Sequence, residues 1–329
     1  MSLISPVLRI VSALPLGAVF FVYSEEMFWC FYRHGTPIEE YLATYLVYVL
    51  LSYVFLYLLY WSQVYDKWGV FLIGAIYGWI IEGFIVQTMY EAIPLSISWT
   101  ALAWHAGITI LIGFYNVFGV IRTGNIKRLC LLFASVGVFW GLLSTFWIIE
   151  LGYLPTITEF FMFISICSVL ISLGYYTFLR TIPDKFSISR PEKYFLISLF
   201  GIIYACLVLV FVYILVIWTP LVLFTLYILK KYSAKITTYR VHTEKTETLY
   251  DAIHNILKNE PSKKKIIVSG PLLIPPIGTA LFAIQYLSGI HLGALVMIIA
   301  YIILVPLGFL LYVLSVYKCY KLTTDYCLE

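Results

Sequence analysis

Charge is what this sequence lacks most. Asp, Glu, Lys and Arg together make up 12% of 329 residues, where a soluble domain carries roughly 25%. Hydrophobic residues make up 62%, far more apolar surface than a water-soluble fold of this size can hide. An ordinary soluble enzyme, a disordered chain and a nucleic-acid binder are excluded on composition. Cysteine is sparse: the six residues are Cys30, Cys130, Cys167, Cys206, Cys319 and Cys327, with no CxxC among them. That excludes a disulfide scaffold and leaves small, buried apolar side chains as the reading. Only two residues follow Cys327, so the terminus is no prenylation box. No HExxH pair and no phosphate-cradling glycine loop is present.

What is there instead is long apolar runs. About 20 apolar residues cross a hydrocarbon core of roughly 30 Å. Runs of that kind fall near 5–23, 41–61, 68–88, 99–121, 129–149, 159–179, 194–212, 214–230, 271–288 and 293–317. They are continuous rather than alternating, and lipid offers no partner to a free backbone, so they read as helices. Trp61, Trp68, Trp99, Tyr194 and Tyr317 at run ends match an interfacial belt. Residues 194–229 would make a single helix about 54 Å long at 1.5 Å per residue, which is too long, so a turn between Tyr213 and Pro220 is expected.

The fold class is therefore all-α: a polytopic transmembrane helix bundle of about ten spans, with a small cytoplasmic α+β insert between spans eight and nine. Residues 1–230 carry spans one to eight, 231–270 the insert, 271–318 the last hairpin and 319–329 a tail. With ten spans, every Lys and Arg except Arg33 falls on one side. The positive-inside rule then puts both termini in the cytoplasm and the protein in the cell membrane. The first span resembles a signal peptide in its early Arg9, but Phe21-Val22-Tyr23-Ser24-Glu25 has no small-x-small cleavage site, so a retained helix is expected.

In the insert, Lys235–Thr243 and Lys263–Ser269 read as strands. Thr248 and Asp251 open a helix that carries Leu249, Ile253, Ile256 and Leu257 at helical spacing. About 40 residues cannot build a strong core alone, so the insert is expected to lean on the membrane domain or on a partner subunit. Lys263, Lys264 and Lys265 are candidates for contact with anionic lipid headgroups.

Ionisable residues inside a bilayer are costly and default to functional candidates. Counting along its span places Glu82 about 21 Å from the inner face. The same count places His105 about 9 Å from the outer face. In a core of roughly 30 Å these depths coincide, and sequential antiparallel helices pack as neighbours. Gly74 and Gly78, a small-xxx-small pair one step before Glu82, allow close approach. The amphipathic linker 87–99 is expected to lie in the outer interface, with Glu91 above the pair and Trp99 and Trp104 beside it. Glu150 at the end of span five belongs to the same side.

The leading reading is a binding or transport protein with an outward-facing acidic, aromatic-lined cavity for a small polar or proton-coupled substrate. Glu82 and His105 form its centre, and Glu91, Glu150, Trp99 and Trp104 surround them. Against it stands the bland reading: acidic outer loops are partly the complement of positive-inside topology, and Glu82–His105 is a structural inter-helix bond. A second reading starts from Glu25-Glu26 directly after the first span. This acidic pair resembles that of membrane glycosyltransferases of the GT-C type, which implies an integral membrane enzyme acting on a lipid-linked substrate. A third is a hydrophobic anchor subunit of a membrane (respiratory) complex, with a quinone-like ligand among Trp79, Trp99, Trp104, Trp140 and Trp147. No cofactor is expected: a metal would draw on Glu82, His105 and Glu150, and a haem on His105 and His291, with no ligand motif for either. Membrane lipids are expected partners and nucleic acid is not.

Overall fold

The computed structural model describes residues 4–64, 66–243, 248–259 and 269–325. It holds ten helices long and apolar enough to cross a membrane. In chain order these are α1 (Pro6–Trp29), α2 (Ile38–Ser62), α3 (Lys67–Ile85), α4 (Leu95–Thr123), α5 (Ile126–Leu143), α6 (Ile157–Thr181), α7 (Arg190–Val210) and α8 (Ile214–Ile236). A shorter helix, α9 (Leu249–Asn259), follows, then α10 (Gly270–Ser288) and α11 (Gly293–Lys321). The long apolar stretch breaks at Phe211, whose backbone leaves the helical region, and α8 begins on a wide turn at Ile214–Trp218.

Helix starts follow local chemistry. Asp66 caps α3 by accepting from the Trp68 and Gly69 amides at 3.1 and 2.9 Å. Asn125 accepts from the Arg128 amide at the start of α5. Thr156 with Glu159, and Ser189 with Glu192, form capping boxes at α6 and α7.

The α3–α4 hairpin occupies the centre, and nearly all of α3 is buried. Here two backbones meet: a Cβ on Gly78 would fall 2.2 Å from the Ala101 carbonyl, so only glycine fits. α1 lies between α2 and α6, α10 between α5 and α6, and α11 bridges α3, α4 and α8. The three prolines of the last hairpin sit at the opening of α10, where no intrahelical donor is lost. Beside Pro306, which lies inside the continuous helix α11, the Ser98 hydroxyl donates to the Val305 carbonyl at 2.7 Å. No residue of α7 is buried.

The α1–α2, α3–α4, α5–α6, α7–α8 and α10–α11 turns gather at one end. Tyr153 donates to the Tyr32 carbonyl, Tyr90 stacks on Tyr213, and the Gly293 amide donates to Thr145. This end carries Glu25, Glu26, Glu82, Glu91, Glu150 and Glu159 and is called the acidic end below. The opposite end carries the Arg9–Glu192 ion pair at 2.5 Å, with Tyr53 donating to Glu192 at 2.8 Å.

The α+β insert is corrected. No strand occurs among the described residues. Instead of forming a strand, Lys235–Thr243 continues the helix of α8, which runs to Thr243. Tyr232 and Ile236, four residues apart, are both buried, and that helical period outweighs the β-branched composition that suggested a strand. The second expected strand and Lys263, Lys264 and Lys265 fall at 263–268, outside the described residues, while Ser269 precedes the first turn of α10. α9 starts as expected: Thr248 and Asp251 bond reciprocally, and Leu249, Ile253 and Ile256 are buried. It leans on the basic ends of α2, α4 and α6, with the Leu249 amide donating to the Val64 carbonyl and Tyr250 to that of Pro183.

Candidate functional site

Glu82 and His105 meet. His105 Nε2 lies 2.8 Å from Glu82 Oε1, and the two residues are 6% and 3% exposed. The second oxygen, Oε2, accepts from the Thr88 hydroxyl. On the other side of the ring, Nδ1 lies 3.1 Å from Ser24 Oγ, which in turn contacts the hydroxyls of Thr109 at 3.0 Å and Tyr77 at 3.5 Å. An unbroken polar chain therefore runs Thr88–Glu82–His105–Ser24–Thr109 through an apolar bundle.

Wide helical turns position it. Ser24 lies in Val22–Glu26, Glu82 in Ile80–Ile85 and His105 in Trp99–Asn116, all three segments with π-type bonding. Segments of this kind are rare and recur at functional sites, because the extra residue per turn re-aims side chains. Gly83 lets Trp218 and Met89 close on the turn that carries Glu82; a Cβ there would fall 2.6 Å from the Trp218 ring.

With Glu82 ionised, its oxygens only accept, so His105 Nε2 carries a proton. Nδ1 then accepts from Ser24 when the ring is neutral and donates when it is cationic. Protonation of His105 thus reverses the Ser24 bond, and Ser24 turns its own hydrogen to Thr109 or Tyr77. The chain stops there. Tyr77 packs edge-on against Phe20 at 5.3 Å, and Phe20, Phe55 and Phe114 close the bundle toward its basic end with centroids 5.2 and 4.9 Å apart.

The pair forms part of the wall of a cavity of about 580 Å³, within the usual small-molecule range of roughly 300–1,000 Å³. Of the residues named from sequence, Glu25, Glu82, Glu91, Trp99, Trp104, His105 and Glu150 all line it. The linker is folded over it by short turns. Ser96 donates to the Met89 carbonyl, Tyr90 to that of Gly83 and Trp79 to that of Ile97. Burial raises the Tyr90 phenol above its ordinary pKa, which keeps it a donor.

Other expectations are not met. Glu25 and Glu26 lie within α1, not in a loop, because that helix continues to Trp29. Consecutive helical residues point to different faces. Glu25 borders the cavity, held by Tyr48 at 2.9 Å and Trp29 at 3.1 Å. Glu26 turns into the bundle, 5% exposed, and its Oε1 has no hydrogen bond among the described residues. The acidic pair on which the GT-C resemblance rests is therefore split. Trp79 and Trp140 are core residues, donating to the carbonyls of Ile97 and Cys30, so the five tryptophans do not form one surface. His291 is exposed in the α10–α11 turn and does not border the cavity. Among the described residues, no three His, Cys, Asp or Glu side chains converge on a common point suited to a metal.

Sequence reasoning missed Ser24, Thr88, Thr109 and Tyr77. Thr109 was accessible, being four residues after His105 on one helix. Ser24 directly precedes the acidic pair, but its contact depends on the tertiary packing of α1 against α4. Comparison with protein-family models, curated proteins and solved structures finds no match to this chain.

Removing either half of the pair strands the other in a desolvated site. Glu82→Ala and His105→Ala are each expected to destabilise the protein by roughly 1–3 kcal/mol in detergent unfolding. The double variant is expected to cost less than their sum by at least about 1 kcal/mol. Strict additivity would mean that the two side chains do not interact.

Proposed function

We propose that the chain is an integral membrane protein of the cell surface. It binds or transports a small polar substrate in a cavity that opens outward, with Glu82 and His105 exchanging a proton as the substrate is taken up. The observation that carries this reading is the contact at 2.8 Å between an acid and an imidazole on the wall of a cavity. Such a pair moves a proton over one hydrogen bond, and the Ser24 hydroxyl offers the charge a second place to settle. A site of this kind is costly to build into an apolar bundle, and interhelical polar bonds average only about 0.6 kcal/mol of stabilisation. Stability alone is a weak reason to keep it.

The outward orientation is supported by charge: of the Lys and Arg among the described residues, only Arg33 belongs to the acidic end. A cysteine placed at Gly35 should react with a membrane-impermeant maleimide on intact cells, above the parent's background, while one at Gly124 should react only after permeabilisation. The reverse pattern would turn the cavity to the cytoplasm.

Proton exchange is read by infrared difference spectroscopy of the purified protein between mildly acidic and mildly alkaline buffer. A carboxyl band that titrates and is lost in Glu82→Gln is expected. Identical spectra for parent and variant would remove the proton-exchange role.

One observation favours a second reading, an enzyme acting on a lipid-linked substrate. Ser24, His105 and Glu82 are joined in the order hydroxyl, imidazole, carboxylate, as in a nucleophile, base and orienting acid. A fluorophosphonate probe that labels the parent but not Ser24→Ala would favour the enzyme; an unlabelled parent would leave binding or transport.

A further inference from the structure

The Proposed function leaves open which polar group the cavity receives. We propose that the cavity selects an organic ammonium group, either on a free small molecule or on a lipid headgroup. The inference rests on the binding reading above and adds the charge and chemistry of the guest.

Charge balance comes first: Glu25, Glu82, Glu91 and Glu150 line the cavity, and among the described residues no Lys or Arg does. Among the described residues, no Lys or Arg is ion-paired with any of the four. Among the described lining residues His105 is the sole titratable base, already committed to Glu82, and none is Asn or Gln. An anionic guest would face carboxylates with only hydroxyls and one imidazole to receive it. A cation would meet these carboxylates and supply the countercharge that the lining lacks.

The second argument is what the aromatic residues have left to offer. Trp29, Trp104 and Trp147 border the cavity. Their indole N–H groups donate to Glu25 at 3.1 Å, to the Tyr23 carbonyl at 3.1 Å and to the Phe28 carbonyl at 2.7 Å. With the polar edge of each ring spent inside the protein, what a ring can still offer a guest is its face, which attracts cations through the π quadrupole; Trp29 is itself packed on Trp147 at 4.5 Å. Trp99 packs with Tyr301 at 4.9 Å on the same cavity. The same attraction already acts on a ring of this wall: the guanidinium of Arg33 lies over the Trp29 ring, 4.4 Å from its centroid.

The third argument is size. About 580 Å³ is far more than a bare ion fills, and the described carboxylates and histidines do not converge as metal ligands. Carboxylates for net charge, with ring faces for the alkyl shell, match an alkylammonium ion better than an inorganic one.

The test uses the full-length protein in detergent and titration calorimetry with three probes: choline, its neutral carbon isostere 3,3-dimethyl-1-butanol, and glucose. Choline is expected to bind about tenfold or more tighter than the isostere, and glucose to bind no better than the isostere. Glu150→Gln, at an exposed position, is expected to weaken choline severalfold while leaving the isostere unchanged, which separates charge recognition from loss of folding. Competition by nanodiscs of phosphatidylcholine but not phosphatidylglycerol would assign the ammonium to a headgroup; free choline binding without that competition would assign it to a soluble guest. Equal affinity for choline and isostere, or a preference for glucose, would overturn the inference and leave the cavity reading standing. Absence of binding by any probe, with the Glu82 infrared band still titrating, would also overturn it alone. Absence of both binding and titration would remove the function proposed above as well.

Discussion

A carboxylate cannot stand alone in hydrocarbon, and that constraint organises the acidic end of this bundle. Left without partners, a buried charge costs several kcal/mol or loses its proton equilibrium to the neutral form. Glu82 avoids this with partners on both oxygens, among them His105 across the α3–α4 contact and Thr88 from the linker that follows α3. His105 has the same problem in reverse and meets it with Ser24 from α1. Three helices and a linker are therefore tied to one another by the need to satisfy two side chains.

The surrounding structure follows from that tie. α3 and α4 must approach closely, so glycine stands where the Ala101 carbonyl would strike a Cβ at position 78. The helices must turn particular residues inward, and each does so on a widened turn. The linker must return to bring Thr88 onto Glu82, and in doing so it places Glu91 over the cavity. Below the polar chain, the rings of Phe20, Phe55 and Phe114 pack edge to face toward the basic end. The result is a cavity with an acid–imidazole pair and three further carboxylates in its wall.

Much of this could be read from the sequence because lipid imposes simple rules. Apolar run length located the ten helices, and excess length required a break, expected between Tyr213 and Pro220 and found just before that window, at Phe211. Depth counting brought Glu82 and His105 together because rise per residue is nearly constant along a helix. What could not be read is what depends on rotation and on distant packing. Glu25 and Glu26 are adjacent in sequence and part company in space, since the helix continues through them and turns one into the bundle. Ser24 belongs to the polar chain only because α1 lies against α4 at that height. In Lys235–Thr243, β-branched residues imitated a strand, while the buried pair Tyr232 and Ile236 just beside them held the helical period that prevailed.

The most direct test of the account is the separation of His105 Nε2 from the Glu82 carboxylate in a lipid bilayer. Solid-state NMR dipolar recoupling between a labelled imidazole nitrogen and the labelled carboxyl carbon would measure it. The account predicts strong coupling, consistent with a nitrogen–oxygen contact near 2.8 Å. Absence of coupling, with the two groups beyond hydrogen-bond reach, would contradict it.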